Sequence, residues 1–374
     1  MRYSLPIKVF DFFAGCGGAS KGFQDAGMDI VFALDNDPHA ARTFRENFVG
    51  TQLLVEPEFS EGSSGIHFLV QDIAKVPAKS LQPLVDTCTN HPLLFTGCAP
   101  CQPFTKQNTR RRSDDRRANL LSEFLRFVVF HKPEFVFVEN VPGLQRLSGK
   151  QGVFGRFLAT LKELGYEYRY EVVVSQNYGV PQRRRRLVLL ASLLGPIAFP
   201  AITHGPGTPH PAYENVRDWI GDLPTIEAGE THPDISNHRA AGLAAVNLER
   251  IRATPEGGDR RDWPKHLQLK CHLNGYKGHT DVYGRMHWDR LATGLTTRCI
   301  SLSNGRFGHP EQDRAISVRE AACLQTFPRD FVFHGNLHSM ARQIGNAVPV
   351  RLAECFGESF IDNVNAYLEG LGNG

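Results

Sequence analysis

The sequence predicts an α/β fold, an open sheet covered by helices on both faces, with a second, smaller, irregular domain. Three observations predict it. Short apolar runs alternate with helical patterns over the first two hundred residues, a glycine loop follows the first of those runs, and the texture changes near Gly195.

The runs IKVFDFF (7–13), DIVFALD (29–35), IHFLVQD (66–72), PLLFTG (92–97), PEFVFVEN (133–140), YEVVVSQN (170–177) and RRLVLLAS (185–192) are bounded by Gly, Pro, Asn or Asp and read as strands. Between several of them lie helix-like segments: ASKGFQDAG (19–27), PHAARTFRENF (38–48), LLSEFLRFVVFHK (120–132) and GRFLATLKELG (155–165). EPEFSEGSSG (56–65) reads as an inserted loop. Residues 195–235 are rich in Pro, Gly and His, and little periodicity follows to about residue 314. Helical spacing returns in SVREAACLQTF (317–327) and from Met340 to Leu371.

With 374 residues, 41% hydrophobic and 22% charged, the chain has the composition of a soluble globular protein able to bury a sizeable core. No run of eighteen apolar residues is present to span a bilayer, and the N-terminus has no signal-peptide pattern. An intracellular protein is expected, and its eight scattered cysteines are expected to be reduced thiols. Net charge is only +3, but KQNTRRRSDDRR (106–117) carries six basic residues against two acids, residues 183–186 are four arginines, and residues 237–314 hold thirteen Lys/Arg against eight Asp/Glu. Such clusters favour a polyanionic partner.

VFDFFAGCGGASKGF places Gly15, Gly17 and Gly18 between a strand and a helix, and Asp35 ends the next strand. A tight glycine turn lets a ligand approach the backbone, and a carboxylate at that strand end can accept ribose hydroxyls. The spacing is GxGG, not the dinucleotide GxGxxG, and Asp11 is placed where it would repel a pyrophosphate. A nucleoside cofactor without phosphates is implied, and S-adenosylmethionine fits, its ammonium and sulfonium being positive.

CAPC (98–101) admits a zinc half-site, a redox dithiol or a lone nucleophile. A zinc site lacks a second pair with ligand spacing, so no metal is expected. A redox dithiol should open a helix, whereas Pro103 and a polar loop follow here, which leaves it as the second reading. The first is Cys101 as a nucleophile at a strand end, facing a basic loop. Glu139-Asn140 ends a later strand at the same edge of the sheet, so acid and nucleophile converge if the strands are neighbours.

DFFAGCGG (11–18), APCQPFT (99–105), VENVPG (138–143), QRRRR (182–186), REAACLQTFP (319–328) and QIGNAVP (343–349) together resemble the motifs of the DNA cytosine-5 methyltransferases, of the prokaryotic restriction-modification or solitary type, in that family's order. The resemblance implies a Rossmann-like S-adenosylmethionine-dependent methyltransferase sheet at 1–194, completed by 339–374, with a target-recognition domain and return segment at 195–338. The motifs begin at residue 11, so no N-terminal regulatory domain is expected.

Position by position, the resemblance implies that Phe13 stacks on the adenine, Gly15, Gly17, Gly18 and Pro100 line the cofactor, and Asp35 holds the ribose. Asp72 accepts from the adenine amino group with Ile73 beside it, Asn346 and Val348 close the methionine end, and Asn36 stands where many relatives have an aromatic residue. Cys98 is a bystander. Cys101 attacks carbon 6 of the base, Glu139 holds ring nitrogen 3 and the exocyclic amine, and Arg184 binds the ring carbonyl. Arg186 supports the nucleophile loop. Gln102, Pro103, Phe104, Asn140, Gln182, Thr296 and Thr297 are the implied substrate contacts. Carbon 5 then takes the methyl group, leaving S-adenosylhomocysteine, and the target base must be flipped out of the duplex.

The partner implied is double-stranded DNA read by a monomer in the cytoplasm, nucleoid-associated in use, with no membrane involvement. Three rivals stand beside it: the same chemistry on tRNA, a catalytically silent nucleic-acid-binding relative, and a thiol-disulfide oxidoreductase.

Overall fold

The computed structural model describes residues 3–59, 64–100, 120–146, 152–272 and 281–372. The implied site residues Cys101, Gln102, Pro103 and Phe104 lie outside the described residues. The chain divides into two compact units, one of residues 1–174, 185–201 and 348–374, the other of 175–184 and 202–347.

The first unit is an α/β sheet. In chain order it runs β1 (Lys8–Asp11), α1 (Gly18–Asp25), β2 (Asp29–Asp35), α2 (Pro38–Asn47), β3 (Thr51–Leu54), β4 (Ile66–Val70), α3 (Gln82–Thr87), β5 (Leu93–Thr96), α4 (Leu120–His131), β6 (Phe135–Asn140), α5 (Val153–Glu163) and β7 (Glu167–Val174). The chain passes through a two-residue strand of the other unit, β8 (Gln182–Arg183), before β9 (Arg185–Ser192). The strand order is β3-β4-β2-β1-β5-β6-β9-β7. The first six strands pair in parallel, while β9 runs antiparallel to both β6 and β7. Strands wrapped by helices on both faces must be apolar throughout, and β5 and β6 are buried at every position.

Phenylalanines fill both faces. Phe12 meets Phe127 of α4 at a centroid distance of 4.7 Å and Phe10 meets Phe95 at 5.0 Å. On the opposite face Phe23 of α1 stands edge-on to Phe137 at 5.4 Å. The C-terminal helix α10 (Val350–Gly372) packs on α1, where a Cβ on Gly22 would come within 2.3 Å of the Val350 carbonyl oxygen. Only glycine allows that approach.

The second unit is irregular, as its composition predicts. Its helices are α6 (Val216–Ile220), α7 (Ala245–Arg252), α8 (Val318–Leu324) and α9 (Leu337–Asn346), linked by loops, 3₁₀ turns and the short strand β10 (Ala292–Thr293), which pairs with β8. Much of its positive charge is spent internally. Arg314 and Glu320 are both buried and form a two-pronged ion pair at 2.7 Å, with Glu320 also closing a capping box with Ser317 at the start of α8. Arg285 is buried against the carbonyls of Thr254, Ile251, His309 and Gln312 and the carboxylate of Asp313.

Two of the differences from the sequence expectation have a plain physical reason. β3 is a short edge strand with no fully buried residue, so it has no apolar run to mark it. The helical pattern from Met340 breaks into α9 and α10 around Pro349, which has no N–H to continue the ladder. None of the seven described cysteines forms a disulfide. Among the described residues no helix is long and apolar enough to cross a membrane, and no three His, Cys, Asp or Glu side chains are grouped to hold a metal.

Candidate active site

In the first unit, β1 delivers the chain into the glycine loop. Gly15 has φ +53° and Gly17 φ +96°, left-handed values that favour glycine, and a Cβ on Gly17 would meet the Phe48 ring at 2.5 Å. Gly18 opens α1. The Asp35 carboxylate stands across the loop, accepting from the Gly15 N–H at 3.0 Å and the Asp37 N–H at 2.9 Å. Burial pushes its pKa above the ordinary value, and those two backbone donors oppose the shift. Each oxygen keeps further acceptor capacity, which is what a ribose diol requires.

Phe13, Asn36, Asp72, Ile73 and Val348 lie on the same unit, whereas Asn346 belongs to the second. Phe13 is partly exposed and packs against the aromatic core, and a Cβ on Gly15 would find nothing nearer than Asp35 Oδ2 at 4.0 Å. Asp72 caps a 3₁₀ turn through Oδ1, accepting from Ala74 N–H at 3.0 Å, and Ile73 beside it is buried. Asn36 is exposed, and Val348 is buried in this unit. Open room at Gly15, a carboxylate with acceptor capacity and a partly exposed ring fit a nucleoside-bearing methyl donor.

Asp11 departs from its expected place. It is wholly buried, with the Ser20 hydroxyl donating to Oδ2 at 2.7 Å, and burial raises its pKa to about 7. It therefore faces the fold and is partly neutral at physiological pH, so repulsion of a pyrophosphate no longer supports the choice of cofactor.

At the C-terminal edge of the sheet, parallel pairing of β5 with β6 brings the 96–100 segment beside Glu139-Asn140. Glu139 is 6% exposed, and Arg186 Nε lies 2.8 Å from its Oε1. The register explains the contact: Glu139 stands opposite Val188, and Arg186, two residues before Val188, shares its face as a diagonal neighbour. Arg186 was expected to support the nucleophile loop; the structure pairs it with Glu139, a contact hidden from the sequence because the antiparallel β6-β9 pairing was.

Asn140 is spent on the backbone. Its Nδ2 donates to the Ala99 carbonyl at 3.1 Å and its Oδ1 accepts from Val141 N–H at 2.8 Å, so it holds the residue two positions before Cys101 rather than presenting a free amide. Pro100 is exposed. Burial, then the carboxylates of Glu139 and Asp11, push the Cys98 thiol well above its ordinary pKa, so it stays protonated at neutral pH.

In the second unit, Arg184 is 2% exposed and its guanidinium donates to the carbonyls of Leu295, Gly345 and Ala347. Its expected contact was a substrate carbonyl; the partners found are backbone. Gln182, expected to meet substrate, is also buried, donating to Leu324 O and Gln325 Oε1 and accepting from Leu295 N–H. Thr296 and Thr297 are half-buried, and a Cβ on Gly345 of α9 would lie 2.1 Å from Thr296 O. Asn346, at the end of α9, is exposed.

Comparison with known proteins identifies the family. The family model described as C-5 cytosine-specific DNA methylase matches residues 7–362. The Type II methylase M.HgiDII of Herpetosiphon aurantiacus is 38% identical over 368 residues, covering 97% of this chain and 96% of the relative. The Type II methyltransferase M1.HphI of Haemophilus parahaemolyticus is 32% identical, covering 96% and 88%. A solved structure of a putative DNA modification methyltransferase from an Escherichia coli prophage shares the fold with a TM-score of 0.73 at 22% identity, covering 96% of this chain and all of that one. A largely parallel methyltransferase sheet, a glycine loop with its acid, and a Glu-Asn strand end beside the 96–100 segment thus occur in a chain that belongs to the C-5 cytosine-specific DNA methylase family and is a DNA (cytosine-5)-methyltransferase.

Proposed function

We propose that the protein transfers the methyl group of S-adenosylmethionine to carbon 5 of a cytosine flipped out of a specific double-stranded DNA sequence, through a covalent Cys101 adduct. The observation that carries this reading is the Glu139-Asn140 pair: one side chain is an acid held beside Arg186, and the next grips Ala99, two residues before Cys101. The acid and the Ala99 backbone are thereby held at one strand end.

The Cys101 thiolate attacks carbon 6 of the base, breaking its aromaticity and leaving carbon 5 with enamine character. Glu139 holds ring nitrogen 3 and the exocyclic amine as charge develops there. Arg184 is occupied by backbone carbonyls, so we assign the cation beside the ring to Arg186. Bound S-adenosylmethionine would supply an electrophilic methyl group, and Asp35, Asp72, Phe13 and Val348 are the residues of the first unit that would hold it. Water removes the carbon-5 proton, and Cys101 leaves as the 5–6 double bond reforms. Target selection belongs to the second unit, and the protein works as a cytoplasmic monomer without a metal.

The test incubates wild type and Cys101→Ser with labelled S-adenosylmethionine and either genomic DNA or tRNA, followed by sequencing of methylated cytosines. Label in DNA that vanishes with Cys101→Ser is expected. Label in tRNA alone overturns the substrate, and label surviving in Cys101→Ser overturns the adduct.

A further inference from the structure

The segment 259–272 of the second unit carries charge in a form suited to one kind of contact. Three 3₁₀ turns follow one another, Arg260–Asp262, Lys265–Leu267 and Lys270–His272, and each contributes basic residues. Trp263 and Leu267 are buried between them, while Arg261, Lys265, His266 and Lys270 are exposed. The platform is pinned: Arg250 lies over the Trp263 ring at 5.1 Å and donates to the Leu267 carbonyl, and Trp263 Nε1 donates to Thr254 at 2.8 Å. A cavity of about 210 Å³ opens beside Arg260, Arg261, Trp263, Gln268 and Leu269.

Base edges are read by forked donors, chiefly Arg and the amides of Asn and Gln, whereas phosphates accept any well-placed cation. In this segment Arg260 is buried, and the forks of Arg261 and Gln268 are in use. Arg261 Nε and its terminal nitrogen both sit on Asp259, at 2.8 and 2.6 Å. The Gln268 amide donates to the Trp263 carbonyl at 3.2 Å. Besides the Asp259-paired Arg261, what faces outward is Lys265 and Lys270, compact charges on flexible stems with no carboxylate at ion-pair distance among the described residues, and His266.

We propose that this segment is a sequence-independent clamp for the DNA phosphate backbone, contributing affinity and salt dependence but not site choice. It rests on the reading that the protein methylates double-stranded DNA. The test uses the full chain, wild type and the Lys265→Ala/Lys270→Ala double variant. Binding is measured by fluorescence anisotropy on two duplexes, one with the sequenced methylation site and one without, from about 50 to 200 mM salt, the range over which counterion release is read. Affinity is expected to fall by the same factor on both duplexes, on the order of tenfold, and the slope of log affinity against log salt to shrink by about two. Lys265→Arg/Lys270→Arg restores both, and the methylated sites in genomic DNA stay the same. A loss confined to the site-bearing duplex, or a changed set of methylated sites, makes these residues base readers and overturns the clamp. Unchanged affinity and slope overturn it as well. A wild type that methylates no cytosine in DNA overturns the underlying reading instead, and the clamp with it.

Discussion

Asp11→Asn should gain stability relative to the wild type as pH rises. The carboxyl ends β1 with no exposed surface, and burial lifts its pKa from 3.8 to about 7 against the opposing hydrogen bond from Ser20. A pKa raised by folding stabilises the fold below the unfolded value, and that contribution is lost as pH climbs through the folded value. The window therefore runs from about pH 4 to about pH 7, and at roughly 1.4 kcal/mol per pH unit the loss reaches about 4 kcal/mol. Asparagine keeps an oxygen for the Ser20 hydroxyl and carries no charge to desolvate. Urea unfolding of both proteins at pH 5 and pH 8 gives the quantity needed, the difference between them. Other titrating groups cancel in that difference, including His309, whose pKa burial lowers to about 4. The advantage of the variant should be larger at pH 8 by about 2 to 3 kcal/mol. A difference that stays flat between the two pH values would show that Asp11 is solvated or satisfied, and would refute the burial reading.

Three further outcomes test the site. Arg186→Met should leave binding of the methyl donor intact and lower kcat by about 100-fold or more, as loss of a charge-stabilising group does; turnover within a few-fold of wild type would remove Arg186 from the chemistry. Gly345→Ala places a Cβ 2.1 Å from the Thr296 carbonyl oxygen, so α9 or the 296–297 segment must shift, at a cost of about 1 to 3 kcal/mol or more. A lowered melting temperature and weakened DNA binding are expected, and an unchanged melt would show that the helix yields freely. Cys98→Ser should retain most of its activity, because the Cys98 thiol is held protonated by burial and by Glu139 and Asp11. Loss of activity comparable to Cys101→Ser would bring back the dithiol reading.

What the sequence made legible follows from how each feature is encoded. Strands β1, β2, β4, β5, β6 and β9 are buried on both faces, so each is written as a contiguous apolar run, and the glycine loop is written in residues that only its backbone conformation favours. The site is encoded differently, because a side chain's job depends on which strands are neighbours. Asp35 could be placed beside the glycine loop from local spacing, twenty residues after Gly15, and the structure puts its carboxylate on the Gly15 N–H. Arg184 and Arg186 could not be told apart locally, since they stand two residues apart in a run of four arginines. Their fates diverge through long-range pairing: one carboxylate register, Glu139 opposite Val188, gives Arg186 its partner, and the carbonyls of Leu295, Gly345 and Ala347, more than a hundred residues on, take Arg184. The same holds for charge. The excess of basic residues at 237–314 is visible as a sum, but Arg285 and Arg314 are buried donors to carbonyls and carboxylates, and Lys265 and Lys270 are not. Composition counts cations, whereas only packing decides which of them a polyanion can reach.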